Sequence, residues 1–307
     1  MIGIITVVTN EKYNLENFYN SLKQQTYKEF KLYFVDNNSK DGSSDFFRQM
    51  NIDNLIDTIY LKLEKNYGFS EGSNMGAERA IDDGCKYLFI ANNDLVLEQN
   101  CLKELYLLLE NSEAVCAGPL LLMHSVKKPG IIQEFGGKIN FRIGSLKKYY
   151  ENEILKNVTL PEKIETDFVG GGICFINAGI FKKNGMFETS YFGYFDEIDL
   201  SYRLKVLNKY KMFVTSKAVA WHNHYSNEKN KKSYYFEYYL SERNKFLYYY
   251  KYKLYSSIAA AIFTDLIKFP FRLIWFMKVC DFKLGLYYLK GMFAGLQRKS
   301  GRPAFRD

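Results

Sequence analysis

Three carboxylates lie within four consecutive residues in the second half of the chain, at Asp196, Glu197 and Asp199. Like charges repel one another and lose solvation when they leave water, so a folded chain exposes such a cluster or gives it a chemical role. Aromatic residues precede the cluster and leucines follow it at helical spacing, which predicts the first turn of a helix with one buried face. An acidic helix start without a catalytic role has the same local pattern, so the other motifs must decide.

Candidate metal ligands follow two apolar runs elsewhere in the sequence. Asn92, Asn93 and Asp94 come directly after one run, and two of the three histidines, His222 and His224, come after the other. Carboxylate and amide oxygens at a strand end suit Mg²⁺ or Mn²⁺ bridged to a diphosphate, and histidine is a common further ligand. Asp94 could instead cap a helix, and an isolated histidine is more often structural than a ligand.

Short polar side chains and glycines follow other predicted strands. Thr9 follows the first strand and residues 36–39 follow the second, where they could bind a base and a ribose or form an Asx turn. Residues 66–76 contain three glycines and lead into a helix, so their backbone N–H groups could approach a phosphate. Their spacing matches neither a P-loop nor a dinucleotide-binding fingerprint, and the sequence therefore favours neither an ATPase nor a dehydrogenase.

The elements that position these residues alternate along the first half of the chain. Strands separated by helices of this length require crossover connections, which predicts an α/β fold with a parallel sheet covered on both faces. Ligands bind such sheets beyond the carboxyl ends of the strands, where the polar motifs lie. The predicted strands are Ile2–Val8, Lys31–Val35, Thr58–Leu63, Tyr87–Ala91 and Val115–Ala117, and the predicted helices are Leu15–Leu22, Ser43–Met50, Ser73–Ile81 and Cys101–Leu109.

Composition limits the class of protein. A chain of 307 residues with 47% hydrophobic content can bury one large core, or a core with a smaller appendage. The formal charge of +8 suits nucleic acid, anionic lipid or a phosphorylated substrate equally well. Five scattered cysteines without a CxxC pair indicate a reducing compartment, and the N-terminus lacks the basic region of a secretion signal. We therefore expect a cytoplasmic protein.

The C-terminal part differs from the rest in composition, being rich in tyrosine and phenylalanine. Residues 255–268 predict an amphipathic helix whose apolar arc includes Ile262 and Phe263, and the pattern continues through Trp275. Charges and a proline interrupt it too often for a membrane-spanning helix. The apolar face could lie in a membrane interface, pack on the preceding domain, or form a homodimer. We predict a domain at 1–230, with halves at about 1–118 and 119–230, followed by a helical region at 231–307.

In their order and spacing, these motifs resemble the family-2 glycosyltransferases of the GT-A fold, in the bacterial branch that includes rhamnosyltransferases of cell-surface polysaccharide assembly. The resemblance extends from residue 2 to about residue 302. Its matching stretches are ITVVTN, LKQQTYKEFKLYFVDNNSKDGS, NYGFSEGSNMGAERA, YLFIANNDLVL, FVGGGICFINAGIF, GYFDEIDLSYR, AVAWHNH, SERN at Ser241 to Asn244, and GLQRKSGR. The resemblance implies a GT-A sheet, mostly parallel with helices on both faces, and a C-terminal helical extension.

The resemblance also implies roles for single residues. Asp94 and His222 would hold a divalent cation, with His224 as an alternative, although the first carboxylate of the family's DxD motif is Asn92 here. Glu197 would be the catalytic base, with Asp196 as the alternative. The residues implied to bind the nucleotide sugar are Thr9, Asp36, Asn38, Asn66, Gly68, Asn74, Asn92, Asn93, Asp94 and Gly171.

The implied reaction is an inverting transfer, in which a carboxylate deprotonates the acceptor hydroxyl and Mg²⁺ or Mn²⁺ stabilises the departing diphosphate. The implied partners are a dTDP- or UDP-sugar, with dTDP-rhamnose as the first choice, and a glycan or lipid-linked glycan near the inner face of the plasma membrane. A sugar nucleotidyltransferase would be expected to carry a basic glycine-rich loop after the first strand, and this chain has TNEKYN there. An RNA-binding protein would need a recognition signature that the sequence lacks, so we expect no nucleic-acid partner.

Overall fold

The computed structural model describes residues 1–123, 130–223, 231–278 and 281–303. Predicted and observed elements of the first half agree to within a few residues, except that the third helix begins earlier and the fifth predicted strand is longer. The strands are β1 (Ile2–Val8), β2 (Phe30–Asp36), β3 (Thr58–Lys62), β4 (Tyr87–Ala91), β5 (Leu95–Leu97), β6 (Ala114–Met123), β7 (Ile131–Glu134), β8 (Gly137–Asn140), β9 (Ser145–Lys148), β10 (Lys163–Glu165), β11 (Ile173–Asn177) and β12 (Lys211–His222). The helices are α1 (Leu15–Lys23), α2 (Ser43–Met50), α3 (Phe69–Asp82), α4 (Cys101–Glu110), α5 (Ala178–Lys183), α6 (Asp196–Ser201), α7 (Lys231–Lys251), α8 (Tyr255–Lys278) and α9 (Phe282–Leu296).

One large mixed sheet organises the structure, with the strand order β10-β12-β6-β11-β4-β1-β2-β3. β1 pairs in parallel with β2 and β4, and β2 pairs in parallel with β3, as the crossover helices predict. Beyond β4 the sheet is mixed, because β11 lies between β4 and β6 and runs antiparallel to both, whereas β12 pairs in parallel with β6. Antiparallel neighbours need no crossover helix between them, and the chain between β6 and β11 contains the β8–β9 hairpin instead.

The direction of the strands brings distant parts of the sequence to one edge of the sheet. β6 runs antiparallel to β11, which runs antiparallel to β4, so β4 and β6 run in the same direction. β12 pairs in parallel with β6. The carboxyl ends of β1, β2, β4 and β12 therefore lie at the same edge, and the polar residues that follow them can meet there.

Helices cover both faces of the sheet, which confirms the predicted α/β class. One core contains α1, α2 and α4, with Phe18, Phe47 and Leu105 fully buried. The other core contains α3 and α5 against the opposite face, with Ala77 and Phe181 fully buried. β1 is buried along almost its whole length because it receives helices on both sides, which explains its continuous apolar sequence.

Close packing of α3 on the sheet gives a test of the fold. A Cβ atom at Gly76 would lie 2.7 Å from Ile5 Cγ2 and 2.9 Å from Val35 Cγ2, so we expect Gly76→Ala to lower the free energy of unfolding. The expected loss is about 1–3 kcal/mol, the usual cost of overpacking. Gly179→Ala is the matched control, because its Cβ would meet its nearest atom, Asn177 Oδ1, only at 3.5 Å. Urea unfolding measures both, and equal stability of the two variants would contradict the packing.

The three C-terminal helices pack on one another and on the segment that precedes α6. α9 approaches α7 closely, since a Cβ at Gly291 would overlap the backbone of Tyr239. The apolar arc predicted for α8 is divided between two environments. Ile258 is buried and Ile262 partly buried in a cluster with α7, whereas Phe263 is 66% exposed. The two faces differ because residues i and i+4 share a helix face and residue i+5 is rotated away from it.

Two predicted contributors lie outside the described residues. They are the side chain of Trp275, from the apolar pattern of the C-terminal part, and His224, the alternative metal ligand. None of the helices in the described ranges combines the length and the apolar character that a bilayer-spanning helix needs.

Candidate active site

A cavity of about 450 Å³ opens at the carboxyl edge of the sheet. This volume lies in the range of small-molecule sites. Its lining combines residues from the ends of β1, β2 and β4, the glycine-rich loops and the acidic segment, namely Val7, Thr9, Glu11, Asn37, Asn66, Gly68, Phe69, Asn92, Asn93, Asp94, Gly171, Gly172, Phe192, Gly193, Tyr194, Asp196, Glu197, Phe236 and Leu240. The motifs that the sequence places far apart therefore surround one space.

The acidic cluster divides into two parts with different roles. Asp199 is fully buried and faces away from the cavity, where it accepts hydrogen bonds from Arg203 Nε at 2.8 Å and Lys251 Nζ at 3.1 Å. The hydroxyl groups of Tyr191 and Tyr252 also donate to Asp199. Two cations therefore neutralise this carboxylate in a structural network. Asp196 and Glu197 are the members of the cluster that line the cavity.

The electrostatics of the cavity favour one proton on Asp196. Burial, with a side chain 2% exposed, and the adjacent negative charge of Glu197 raise the pKa of the Asp196 carboxyl well above its ordinary value. Its Oδ2 atom is buried and accepts no hydrogen bond from the described residues. The cavity therefore holds a neutral Asp196 carboxyl beside the side chain of Glu197.

Asp94 lines the cavity and forms a pair with His222, which is not itself among the lining residues. Asp94 Oδ2 lies 2.8 Å from His222 Nε2, and Gln133 Oε1 lies 3.1 Å from the other ring nitrogen, Nδ1, where it can accept the N–H of the ring. Two ligands of one octahedral ion lie about 3 Å apart, and a polar contact on the far nitrogen orients a metal-binding imidazole. Asp94 Oδ1 is buried without a hydrogen-bond partner among the described residues, so it remains available to a ligand.

The donor set of this pair is small. Within the described ranges, His, Cys, Asp and Glu side chains form no cluster of three or more that could hold a metal ion. One carboxylate and one imidazole fit Mn²⁺, which accepts mixed oxygen and nitrogen ligands, provided that diphosphate oxygens and water complete the coordination. The residues therefore fit a cation that binds together with a nucleotide rather than alone.

The loop at residues 66–68 is held by Asn37. Asn37 Nδ2 donates to Asn66 Oδ1 at 3.1 Å and to the Gly68 carbonyl at 3.2 Å, and Asn37 Oδ1 accepts a hydrogen bond from the Tyr67 N–H. Gly68 has φ of +86°, and a Cβ there would lie 2.1 Å from the Phe192 carbonyl oxygen. Only glycine fits this approach, which joins the loop to the acidic segment.

Three residues implied to bind the donor make other contacts. Asp36 is 3% exposed and accepts the Ser39 N–H, and Asn38 adopts a left-handed φ of 65° and binds Lys40. Asn74 is tied to the backbone of Phe187 by two hydrogen bonds. None of the three lines the cavity as the described residues define it. The other residues of the predicted donor set do line it, namely Thr9, Asn66, Gly68, Asn92, Asn93, Asp94 and Gly171.

Sequence reasoning missed several contributors to the site. Asn37 lies between Asp36 and Asn38, the two residues of this turn that were predicted to bind the donor. The sequence of the turn does not determine which of its side chains faces the cavity. Glu11 lines the cavity, and burial raises the pKa of its carboxyl, with the charge of Asp94 adding to the effect. Gln133 comes from β7, where no motif marks it. Phe236 and Leu240 come from α7. Nothing in the aromatic sequence of this helix indicates that it contacts the cavity.

Asn244 and its neighbour Arg243, both buried in α7, hold the segment that presents the two acids. The Asn244 amide donates to three carbonyl oxygens of this segment, those of Tyr191, Gly193 and Tyr194, at 3.1, 2.8 and 2.9 Å. Arg243 donates to the same Tyr191 carbonyl at 2.7 Å. These contacts explain why the SERN stretch accompanies the acidic one.

The held segment has an unusual backbone. Phe192, Tyr194 and Phe195 have φ values of 69°, 63° and 74°, in the left-handed region that bulky residues rarely adopt. Each such residue costs about 1–3 kcal/mol and persists only where its surroundings impose the conformation. The amide of Asn244 supplies that constraint immediately before the helix that starts at Asp196.

Comparisons with known proteins identify sequences that this chain resembles. The family model described as Glycosyl transferase family 2 matches residues 3–183. The Low-salt glycan biosynthesis hexosyltransferase Agl10 of Haloferax volcanii is 24% identical over 158 residues, which cover 48% of this chain and 47% of that protein. The chain thus matches about half the length of this relative.

Two solved structures show the same fold. GalNAc-T7 with UDP, GalNAc and Mn²⁺ has a TM-score of 0.56 at 14% identity, over 72% of this chain and 43% of that chain. Residues 1–349 of TarS from S. aureus in complex with UDP-GlcNAc have a TM-score of 0.53 at 14% identity, over 80% of this chain and 66% of that chain. At these identities the similarity concerns the fold.

Proposed function

The chain belongs to glycosyl transferase family 2, and from this premise we propose that it transfers a hexose from a nucleoside-diphosphate sugar to a hydroxyl group of an acceptor glycan, with inversion. The observation that supports this proposal best is that one cavity is lined by the Asp196–Glu197 pair and by Asp94, whose carboxylate contacts His222 in a second pair. The first pair supplies a base for the acceptor, and the second supplies ligands for a cation beside a diphosphate.

Glu197 accepts the proton of the acceptor hydroxyl as its oxygen attacks the anomeric carbon of the donor sugar. Asp196 stays protonated beside it and orients the carboxylate. The carbon–oxygen bond to the diphosphate breaks as the new bond forms on the opposite face, so no covalent intermediate with the protein is required. A divalent cation bound at Asp94 and His222 would stabilise the negative charge of the departing diphosphate. Asn66 and Gly68, at the start of the glycine-containing stretch 66–76, line the same cavity.

The donor we propose first is dTDP-rhamnose, because the motifs resemble those of rhamnosyltransferases. A UDP-sugar is the second candidate, since the structural neighbours named above were solved with UDP or UDP-GlcNAc. The nucleotide would lie along Thr9, Asn37 and Asn66, which line one part of the cavity.

The acceptor we propose is a glycan carried by a lipid at the inner face of the plasma membrane. The support is an exposed apolar stripe on α9, formed by Phe282, Leu286 and Phe293, which are 64%, 49% and 56% exposed. Spacings of four and seven residues place them on one face of the helix. A homodimer formed through this stripe is the alternative.

The proposal predicts release of nucleoside diphosphate from a sugar nucleotide in the presence of Mn²⁺ or Mg²⁺, and a loss of that activity in EDTA. The expected loss of UDP or dTDP affinity in EDTA is on the order of 10-fold or more, because metal ions contribute several kcal/mol to such sites. Calorimetry and a product assay over dTDP-rhamnose, UDP-glucose, UDP-galactose and UDP-GlcNAc, with and without chelator, measure both effects.

Two variants separate the cation site from general charge effects. Asp94→Asn removes the carboxylate of the pair and should reproduce the effect of EDTA. Asp82→Asn removes an exposed carboxylate, 71% exposed, from the far part of α3 and should behave as the wild type. Undiminished nucleotide affinity in EDTA would contradict the cation role. Binding without turnover of any sugar nucleotide would indicate a non-catalytic binding protein instead.

A further inference from the structure

A second cavity, of about 540 Å³, lies between α7, α9 and the chain that follows α9. Its described lining contains four cationic side chains and no aspartate or glutamate, and consists of Tyr239, Arg243, Lys290, Phe293, Ala294, Gln297, Lys299, Ser300, Arg302 and Pro303. The proposed transfer does not use this space. A cavity with this charge favours an anion.

Arg243 provides the strongest evidence for an anion. Its side chain is 1% exposed, and its three nitrogens donate to neutral acceptors, namely Asn244 Oδ1, the Gly301 carbonyl and the Tyr191 carbonyl. Among the described residues no carboxylate pairs with it. Burial lowers the pKa of the guanidinium. Arg243 also lies against the ring of Tyr239, with its guanidinium carbon 5.7 Å from the ring centroid. All of these partners are neutral, and a buried charge is costly without an opposite charge, so an anion in the cavity would stabilise it.

The other cations of the cavity are also without carboxylate partners. Lys290, Lys299 and Arg302 are exposed, and in the described part of the chain none of them forms an ion pair. Cations that converge without acidic neighbours repel one another, and a bound anion would relieve this repulsion. Phosphate suits such a site because several cations and N–H donors can share its oxygens.

The apolar stripe of α9 begins at the same cavity. Phe293 lines it, and Leu286 and Phe282 continue from Phe293 along the exposed face of the helix. An apolar stripe beside a basic cavity matches a molecule with a phosphate at one end and a hydrocarbon chain at the other.

We propose that this cavity binds the phosphate or diphosphate group of an amphiphile whose hydrocarbon chain lies along the α9 stripe. The identification of the amphiphile as the carrier of the acceptor rests on the proposed function. The site also contacts the segment at residues 191–194, which precedes the two acids. Arg243 donates to the Tyr191 carbonyl, and the adjacent Asn244 donates to the carbonyl of Gly193, which lines the first cavity. A carrier bound here would place its attached sugar near Glu197.

The test measures binding of a short isoprenoid diphosphate, farnesyl diphosphate, to the full chain by calorimetry. Saturating UDP and Mn²⁺ fill the first cavity, so the titration reports a second site. The probe is compared between the wild type and the triple variant Lys290→Glu, Lys299→Glu, Arg302→Glu. The matched control is Lys86→Glu, Lys103→Glu, Lys183→Glu, which changes the net charge equally at exposed positions elsewhere. Circular dichroism and UDP binding check that both variants are folded.

We expect the wild type to bind farnesyl diphosphate and the cavity variant to lose on the order of 10-fold or more in affinity, as expected for lost charge-assisted hydrogen bonds. The control variant should keep its affinity. Equal losses in the two variants would overturn the site in favour of general charge attraction, and so would an absence of binding to the wild type.

Two further ligands identify which part of the amphiphile is bound. Farnesol should bind much more weakly than farnesyl diphosphate, and equal affinity would overturn the phosphate assignment. Inorganic diphosphate should also bind more weakly, and equal affinity would overturn the amphiphile assignment in favour of a free anion. Turnover of sugar nucleotides is measured separately. Its failure would overturn the proposed function but not this site, whereas turnover without binding of the probe would overturn the site alone.

Discussion

Glu197→Gln is expected to lower the transfer rate constant kcat by on the order of 10²-fold or more, the usual effect of removing a general base. Donor affinity should change little, because the glutamine amide retains the shape of the side chain and the Asp94–His222 pair is untouched. The measurement is steady-state kinetics with the active donor, together with calorimetry of the nucleoside diphosphate.

Asp196→Asn is the matched comparison and should have a much smaller effect on kcat. Asparagine resembles a protonated aspartate in shape and can still donate a hydrogen bond to Glu197, so the neutral partner of the base is preserved. An inactive Asp196→Asn together with an active Glu197→Gln would show that the two carboxylates have the opposite roles.

The same pair predicts how stability varies with pH. Because burial and Glu197 raise the pKa of Asp196 in the folded state, folding favours its protonated form. The resulting stabilisation is complete below the unfolded pKa of about 3.9 and is lost as the pH rises through the raised folded pKa. Asp196→Asn does not titrate, so its Tm should increase relative to the wild type as the pH rises over this window. A constant difference in Tm would contradict the raised pKa.

Asn244→Ala is expected to lower kcat by on the order of 10²-fold, since an error of about 1 Å in a catalytic group has effects of this size. The substitution removes the hydrogen bonds to the carbonyls of Tyr191, Gly193 and Tyr194. The left-handed residues of this segment can then relax toward ordinary conformations, and Glu197 moves with them. The Michaelis constant for the donor should change less, because the Asp94–His222 pair lies on other elements.

A control must separate positioning from loss of stability. Asn51→Ala serves this purpose, because Asn51 is also a buried asparagine with several hydrogen bonds, to Ile56, Thr58 and Tyr19, and it lies at the core of α1, α2 and α4 without lining the cavity. Each substitution should cost about 1–3 kcal/mol in stability, the penalty for unsatisfied buried polar groups. Only Asn244→Ala should lose kcat in assays well below both Tm values. Equal losses of kcat would show that Asn244 acts through stability alone.

Local patterns were sufficient for the elements of the first half and for the edge of the sheet at which the polar residues meet. The alternation of β1, α1, β2 and α2 depends on hydrophobic periodicity, which is a property of neighbouring residues. The position of Asn92, Asn93 and Asp94 at the end of β4 follows from the same alternation. The start of α6 at the acidic cluster also follows locally, from the aromatic run and the leucine spacing.

Contacts between distant residues determine the parts that local patterns left open. Asn37 rather than Asn38 reaches the cavity because a left-handed φ at Asn38 turns that side chain outward. Asp199 does not line the cavity and is paired instead with Lys251, which lies 52 positions away in the sequence. β11 lies between β4 and β6 through pairing with strands that are distant from it in the sequence.

The C-terminal helices show the limit of sequence reasoning most clearly. Amphipathic spacing defines an apolar face on α8 and α9, but it contains no information about which surface covers that face. In the folded chain, Ile258 packs against the aromatic residues of α7, whereas Phe293 stays exposed beside a basic cavity. Arg243 and Asn244 contact residues 191–194, which precede the two acids, because α7 packs across this segment. Such packing depends on the shape of both partners, and each partner is encoded in a different part of the chain.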